Sequence, residues 1–326
     1  MTIDAPKGPW PELPLAPWRE TRDTLHLVSQ LVGKTLLATC PAQNHWWHAA
    51  LRVTARGLAG PAPARDGERA LDLELDLVDH VVAVRTDGRS WALPLVAGRS
   101  MREYLDGYLA LLHAAGLDVR LWTTPVEVPD PVPFDRDDAL RAYDPAAAHR
   151  FLDVLRRCDG ALRGLSAEFV GKQSPVHFFW GSFDLAATRF SGRRAPERPG
   201  ADAVTREAYS HEVVSFGFWP GGVTAGGVAV DEPVLYAYAA PEPAGFRDAA
   251  VPAPARYDPR LGELVLPYEA IRHRADPASD VQAFCEAAYD AAATLGGWDR
   301  AALERPAAPR AAPGTAAHPD DHPTVH

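Results

Sequence analysis

Two imidazoles and two carboxyl groups are the side chains of this sequence best suited to proton transfer. Each falls in a segment that also carries aromatic residues, and such a setting shifts the pKa of a titratable group toward the range that general acid–base catalysis uses. The alternative for each is a structural ion pair or a core histidine bonded to the backbone. The candidate catalytic residues are His48, Asp184, His211 and Glu212.

Histidine side chains also indicate a candidate metal site, because imidazole and carboxylate ligands suit zinc, iron or manganese. The spacing weakens this interpretation, since His45 and His48 are three residues apart and would point to opposite faces of a regular strand. No known ligand spacing is matched. The cofactor is therefore unknown; a divalent transition metal would have as candidate ligands His45, His48, His177 and His211.

Tryptophan and arginine side chains near these groups are candidates for substrate binding. A guanidinium group suits the carboxylate or phosphate of a substrate, and indole rings form apolar or cation-binding walls. The alternative is an ordinary half-exposed sheet face, but several Trp residues are costly to leave in solvent. The candidate substrate-binding residues are Trp46, Arg52, Trp180, Arg189 and Trp219.

Composition excludes several classes of protein. The 326 residues carry 33 basic and 43 acidic side chains, a net charge of −10, which argues against a nucleic-acid partner because phosphate binding needs a basic face. Apolar residues make up 47% and charged residues 23%, so the chain can bury a large core. No segment predicts a signal peptide or a membrane helix. We expect a cytoplasmic protein without a membrane partner, and a homo-oligomer is compatible with the sequence.

Apolar spacing and turn signals predict the elements that must position these side chains. A first helix begins near Thr21 and ends at Gly33, and residues 46–54 and 178–190 are each predicted as one strand. Further predictions are a hairpin turn at Asp87-Gly88, a capping box at Ser100 and Glu103, helix starts at Asp144-Pro145 and Pro277, and strands over residues 212–218, 234–239 and 263–268.

The two halves of the chain share an order of elements and several residues in register. A helix is followed by Val-Gly-Lys at residues 32–34 and again at 170–172, and an aromatic block then starts at His45 and at His177. In this internal repeat the strand faces opposite the core would carry equivalent polar groups, which predicts either an ion pair or a ligand cleft between the halves. The aligned pairs are His48 with Trp180 and Arg52 with Asp184.

Short strand connections and the absence of βαβ alternation predict an α+β fold. We expect two tandem helix–four-strand–helix repeats with mainly antiparallel sheet, related by a pseudo-twofold axis. The expected organisation is an extended Pro-rich arm over residues 1–17, a first repeat over 18–122, a linker over 123–146, a second repeat over 147–304 and a disordered tail over 305–326.

Four short sequence motifs are distinctive in their residues. SPVHFFWGSFDL occupies residues 174–185, NHWWH residues 44–48, FWPGG residues 218–222 and VLPY residues 265–268. Together they resemble an uncharacterised bacterial family, the domain of unknown function DUF5996, and the resemblance spans Trp10 to about Glu304. It implies no activity and assigns no catalytic residue, so the function must be argued from the side chains themselves.

Two functions from different classes fit these residues. The first is an enzyme that acts on a small molecule in an aromatic and polar cleft between the repeats, with His48 and Asp184 as acid–base or ligand groups. The second is a non-catalytic ligand-binding or protein-assembly module that uses the same Trp-rich face, because aromatic and Arg enrichment also marks interfaces. A concave, water-excluded pocket favours the first, and a flat apolar face favours the second.

Overall fold

The computed structural model describes residues 9–64, 67 and 69–305 of the chain. None of the helices in this part is long and apolar enough to cross a membrane. Single 3-10 turns connect several elements, and the longest of them spans Asn44–Ala49. The α-helices are α1 (Leu15–Thr39), α2 (Met101–Ala114), α3 (Pro145–Leu165), α4 (Ala203–Ala208), α5 (Pro277–Leu295) and α6 (Arg300–Leu303).

The strands pair with one another in antiparallel fashion throughout the described residues. Their bounds are β1 (Arg52–Val53), β2 (Gly57–Pro63), β3 (Ala70–Asp76), β4 (Val81–Thr86), β5 (Arg89–Pro94), β6 (Arg99–Ser100), β7 (Leu140–Arg141), β8 (His177–Phe179), β9 (Asp184–Arg194), β10 (His211–Trp219), β11 (Gly222–Val223), β12 (Ala229–Val230), β13 (Val234–Ala240), β14 (Arg256–Asp258) and β15 (Glu263–Pro267).

Two sheets carry the architecture. The first has the order β1-β2-β3-β4-β5, and the second has the order β14-β15-β13-β10-β9-β8. In sequence, α1 precedes and α2 follows the first sheet, whereas α3 precedes and α5 follows the second. The mixed helical and mainly antiparallel fold predicted from the sequence is therefore confirmed.

The edge strands of the two sheets meet at a single residue pair. The N–H of Leu51 donates to the carbonyl of Phe178 at 3.0 Å, and the N–H of Phe178 donates back at 2.7 Å. Both residues are fully buried. This reciprocal pair joins β1 to β8 and sets the position of each sheet relative to the other.

Local sequence signals fix several element boundaries. The hydroxyl of Ser100 accepts the N–H of Glu103 while the Glu103 carboxylate accepts the N–H of Ser100, so the predicted capping box at the start of α2 is confirmed. Asp144 caps α3 ahead of Pro145, and α5 begins at Pro277, both as predicted. These boundaries depend on neighbours in sequence, which is why the sequence predicts them.

The first helix is longer than expected, because α1 begins at Leu15 and continues through Gly33 to Thr39. Gly33 does not end the helix; it lies where the Trp180 side chain approaches the helix backbone closely. A Cβ at this position would lie 2.1 Å from Cδ1 of Trp180. The predicted helix end at Gly33 is therefore wrong, since the glycine makes room for an indole from the second half of the chain.

Two predicted strands are also wrong in extent. Of residues 46–54, only Arg52–Val53 form a strand, and Asn44–Ala49 form a 3-10 turn with left-handed backbone at His45 and Trp46. The segment 178–190 is divided between β8 and β9 by residues 180–183, where Phe183 has a φ of 60°. This turn changes the alternation of side chains, so Phe179 does not share the face of Leu185 as the uninterrupted strand predicts.

The segment between the halves, residues 123–146, packs closely on α1. The Lys34 amine donates to the carbonyls of Trp122 and Thr124 at 3.0 and 2.6 Å, and the Gln30 side chain hydrogen-bonds to both backbone groups of Val126. Of the predicted arm, residues 9–14 precede α1, and the buried Trp10 donates its N–H to Arg272 at 2.7 Å. Residues 1–8 and 306–326, including nearly all of the predicted tail, lie outside the described residues.

The second sheet has two buried faces. Leu185, Phe216 and Leu235 point toward α3 and α5 and belong to the main core. The opposite face, which we call the outer face, carries Asp184, Ala186, Thr188 and Phe190 of β9 with their neighbours on β8, β10, β13 and β15. The outer face holds two smaller apolar clusters, around Trp219 and around Phe190.

Candidate functional site

A chain of hydroxyl groups crosses the outer face. The strand register aligns Thr188 with Ser215 and Ser215 with Tyr238. The Thr188 and Ser215 hydroxyls are 3.0 Å apart, and the phenol of Tyr238 lies 3.0 Å from that of Tyr209. Because these hydroxyl groups hydrogen-bond to one another, they form a polar row on the outer face that carries no fixed charge.

Tyr236 connects the next row to Asp184. A Cβ at Gly217 would lie 2.2 Å from Cζ of Tyr236, so the glycine allows the phenol ring to cross β10. The Tyr236 hydroxyl then donates to one carboxylate oxygen of Asp184, and the Ser182 hydroxyl donates to the other. Asp184 is only 7% exposed. Burial raises the pKa of this carboxyl, and the two hydrogen bonds act in the lowering direction.

Two further carboxyl groups interact with Asp184. Burial, and secondly the charge of Asp184, raises the pKa of Glu263 from its ordinary value near 4.5 to about 7. Burial also raises the pKa of Glu127 to about 7, with further contributions from Asp184 and Asp202. Glu127 is exposed as a residue, but its carboxyl lies over Gly181. We call Asp184, Glu263, Glu127 and Tyr236 the acidic cluster.

No ion pair to these three carboxyls is found among residues 9–64, 67 and 69–305. The guanidinium of Arg198 lies 4.1 Å from the Tyr209 ring centroid, and Arg52 lies near enough to His177 to lower its pKa. Neither arginine is paired with the cluster. This part of the outer face therefore places three carboxyl groups beside aromatic rings, without a paired cation among the described residues.

His177 is a second unusual group on this face. It pairs with Ala186 across the β8–β9 ladder, so its side chain lies on the same face as Asp184. It is 1% exposed, and neither ring nitrogen has a hydrogen-bond partner. Burial, with a smaller contribution from Arg52, lowers its pKa to about 4, so the ring is neutral at physiological pH. Orphaned buried nitrogens are rare in native proteins and indicate a site for water or a ligand.

Glu263→Gln is expected to stabilise the protein in a pH-dependent way. The pKa of Glu263 is about 7 in the folded chain and near 4.5 when unperturbed, so the folded state binds more protons between these pH values. The free energy of unfolding of the wild type therefore falls as pH rises through this interval. The gain from Glu263→Gln should be larger at pH 8 than at pH 5 by about 1–3 kcal/mol, measured by urea unfolding.

The exposed Glu197 provides the control for this experiment. Glu197→Gln should change the free energy of unfolding by less than about 0.5 kcal/mol at either pH. An equal gain from Glu263→Gln at pH 5 and pH 8 would contradict the shifted titration.

A basic pair lies at the other end of the outer face. The amine of Lys172 is 2.6 Å from Nε2 of His45, and the His45 ring is 5.7 Å from that of His211. Burial lowers the pKa of His45, with a further contribution from Lys172. The His45 ring is held by left-handed backbone at residues 45 and 46, a conformation uncommon outside glycine.

The four candidate metal ligands do not converge. Within the part of the chain that the structure describes, no group of three or more His, Cys, Asp or Glu side chains is placed to hold a metal ion. His45 faces the Lys172 amine, His48 accepts the N–H of Gln43, and the ring nitrogens of His177 have no hydrogen-bond partner. Two of the four imidazoles, His45 and His211, are neighbours, with ring centroids 5.7 Å apart. The metal site stays a prediction.

Arg189 lies on the face opposite Asp184, since the two residues are an odd number of positions apart in β9. Its guanidinium is 3% exposed, pairs with Glu286 at 2.8 Å and donates to the carbonyl of Leu165 at 2.6 Å. It also lies 4.5 Å from the Tyr289 ring centroid. This arginine holds the sheet to α3 and α5 and is not free to bind a substrate at Asp184.

Glu212 is paired with Arg193, which donates from Nε and Nη2 at 2.9 and 2.7 Å. Beside it lies a cavity of about 140 Å³ with mostly apolar walls. His211, one residue earlier, is 3.0 Å from the hydroxyl of Ser210. These two candidate catalytic residues are thus separated from the acidic cluster.

The remaining candidate residues lie in two regions: near the Leu51–Phe178 pair that joins the two sheets, and on the outer face. Trp180 donates its indole N–H to the carbonyl of Ala49 at 2.7 Å, and Trp46 stacks beside His48 with ring centroids 5.6 Å apart. Arg52 is exposed and forms no ion pair with Asp184 among the described residues. The predicted Arg52–Asp184 pair is absent there because residues 46–54 do not form the strand on which the alignment depends. Trp219, 9% exposed, packs with Tyr236 on the outer face.

Sequence reasoning missed five side chains that matter here: Tyr236, Tyr238, Glu263, Glu127 and Lys172. Tyr236 and Tyr238 alternate with apolar residues in β13, and this period of two in an otherwise apolar strand is a signal that could have found them. Glu263 is the first residue of β15, a position where a carboxyl side chain is common. Nothing in the sequence therefore indicates that Glu263 is partly buried. Lys172 lies in the repeated Val-Gly-Lys segment, but its contact with His45 crosses 127 residues of sequence.

Comparisons with known proteins identify a family and nothing more specific. A family model described as "Family of unknown function (DUF5996)" matches residues 10–305. No curated protein matches the chain, and no solved structure matches it.

Proposed function

The chain belongs to the family of unknown function DUF5996, and we propose that it is an enzyme that binds a small organic cation at the acidic cluster and exchanges a proton with it. One observation carries the proposal: the outer face buries Asp184 and Glu263 without a described counter-ion. Burying an uncompensated charge is costly, and a bound cation removes that cost.

The chemistry of the surrounding side chains supports this class of ligand. The rings of Tyr236 and Tyr238 stack with centroids 6.1 Å apart, and Trp219 packs beside them. Aromatic faces attract organic cations through the ring quadrupole. The unpartnered nitrogens of His177 offer one donor and one acceptor to the same ligand.

The pKa of Glu263 supports an enzyme over a passive binding protein. A carboxyl with a pKa of about 7 is populated in both protonation states at neutral pH, which is the condition for efficient general acid–base catalysis. Asp184, bonded to two hydroxyls, is the group that stays in place and binds the cation. The protein-assembly alternative is less favoured, because Trp219 is buried and Trp180 is bonded to Ala49.

Calorimetric titration with benzyltrimethylammonium tests the proposal. We expect this cation to bind and benzoate, its anionic counterpart, not to bind. Asp184→Asn and Glu263→Gln should each weaken binding by tenfold or more, since each removes one of the charges that the ligand neutralises. Asp159→Asn is the matched control, because Asp159 is also buried but pairs with Arg163 in α3. Equal binding of both probes, binding of neither, or unchanged affinity in the two cluster variants would overturn the proposal.

We also propose that the two halves are related by duplication. In support, each half has a helix, an antiparallel sheet and a second helix in the same order, and the sheets meet at a reciprocal pair of hydrogen bonds between Leu51 and Phe178. Superposition of the β1–β2 hairpin on β8–β9 should require a rotation of about 180° near that pair. A rotation far from this value would contradict the relation.

A further inference from the structure

Lys172 and His45 form a contact that the proposed function does not use. Phe190, which lies under the Lys172 amine, is six residues from Asp184 in β9 and thus roughly 20 Å away. The pair is therefore independent of the acidic cluster.

The surroundings of His45 fix its proton. Nδ1 lies 3.1 and 3.3 Å from the carbonyl oxygens of Glu207 and Ala208, which only accept hydrogen bonds, so Nδ1 carries the hydrogen. Nε2 then presents its lone pair to Nζ of Lys172 at 2.6 Å. This geometry makes His45 a proton acceptor for the lysine.

The lysine itself is exposed and has no carboxylate partner among the described residues. Its amine lies 4.7 Å from the Phe190 ring centroid and 5.5 Å from that of Trp47. Burial of part of the amine lowers its pKa.

Among the described residues, the titratable and charged groups near Lys172 and His45 are two basic side chains and one carboxylate. His211 and, beyond it, Arg194 are basic; burial first, and then the charges of Lys172 and Arg194, lower the pKa of His211. The Glu207 carboxylate accepts the backbone N–H of His45 at 3.2 Å and does not contact the amine. The amine therefore has a base within hydrogen-bond distance, and it is partly buried, which disfavours its charged form.

We propose that Lys172 is a nucleophilic lysine that forms an imine with an aromatic aldehyde or ketone, with His45 as its proton acceptor. Nε2 of His45 takes a proton from the ammonium, and the free amine adds to the carbonyl carbon as the C=O π pair moves to oxygen. Protons then return to that oxygen, which leaves as water as the C=N bond forms. In total, one ammonium and one carbonyl compound give one protonated imine and one water. The Trp47 and Phe190 rings favour an aromatic carbonyl compound over an aliphatic one.

Reductive trapping tests this proposal on the full chain. The protein is incubated with benzaldehyde and sodium cyanoborohydride at pH 7, and modification at each lysine is followed by peptide mass spectrometry. The chain has only three lysines, and Lys34 is a buried internal control because its amine is held by two carbonyls. We expect Lys172 to react at least tenfold faster than Nα-acetyl-lysine amide under the same conditions, and Lys34 to stay unmodified.

Two variants separate the roles of the pair. Lys172→Arg should abolish the fast modification and retain the positive charge. His45→Gln should slow modification of Lys172 tenfold or more. A wild-type rate no greater than that of the free amide would overturn the proposal, as would an unchanged rate in a folded His45→Gln protein. If His45→Gln does not fold, the wild-type rate alone decides.

Discussion

Gly33→Ala is expected to lower the free energy of unfolding by about 3 kcal/mol, although alanine is the better helix former. The new Cβ would lie 2.1 Å from both Cδ1 and Nε1 of Trp180. Trp180 cannot move away without losing the hydrogen bond from its indole to the carbonyl of Ala49. The substitution therefore strains the junction between the two sheets, and chemical denaturation measures the loss.

Another helical glycine provides a matched control. Gly160 lies in α3, and a Cβ there meets nothing within 4 Å. Gly160→Ala should therefore gain about 1 kcal/mol from helix propensity alone. The double variant Gly33→Ala with Trp180→Leu should recover part of the stability, since a smaller side chain relieves the clash. A gain in stability from Gly33→Ala itself would contradict the packing at this site.

Arg189→Ala is expected to destabilise the protein by about 3–5 kcal/mol, because it breaks a largely buried ion pair. The guanidinium pairs with Glu286 through both terminal nitrogens, at 2.8 and 3.1 Å, and covers the ring of Tyr289. Its loss also leaves the carbonyl of Leu165 without this donor. The measurement is again the free energy of unfolding.

The exposed pair Arg102–Asp138 is the control for this prediction. Arg102→Ala should cost less than about 1 kcal/mol, the range of solvated ion pairs. The milder variant Arg189→Lys, if folded, should still bind benzyltrimethylammonium, because residue 189 faces away from the acidic cluster. If Arg189→Lys changed the affinity for benzyltrimethylammonium without changing the free energy of unfolding, Arg189 would instead belong to the ligand-binding site.

The fold was predictable wherever its signals are local. The capping box at Ser100, the cap at Asp144 and the start of α5 at Pro277 each depend on residues within a few positions. The errors arise where distant residues decide. Gly33 was interpreted as a helix end because glycine usually stops helices, whereas here it accommodates Trp180 from the other half.

The candidate site was predictable only in part, for the same reason. Asp184 is a candidate because its segment also carries aromatic residues, a setting that shifts the pKa of a carboxyl group. Its hydrogen-bond partner, Tyr236, is 52 residues away and was not identified. Phe183 adopts a left-handed backbone that its residue type does not predict, and the resulting turn placed Phe179 on the same face as Asp184. Short-range periodicity could not supply these contacts, because strand register sets them.

In the proposed function, the acidic cluster binds an organic cation, and Glu263 is a carboxyl group of this cluster whose pKa of about 7 couples binding to protonation. In such a site the cation favours the ionised form of Glu263, so binding and proton release are coupled. Burial, and secondly the charge of Asp184, raises the pKa of Glu263, and the Glu263 carboxylate in turn raises the pKa of Tyr236 and Tyr238.

Calorimetry of benzyltrimethylammonium binding in two buffers of different ionisation enthalpy tests this claim most directly. At pH 7 we predict the release of up to about one proton per ligand bound, because Glu263 and Glu127 both have a pKa of about 7 and are each about half protonated there. Affinity should also rise between pH 6 and pH 8, and both effects should be about halved in Glu263→Gln. Binding with no proton release and no dependence on pH would contradict the account.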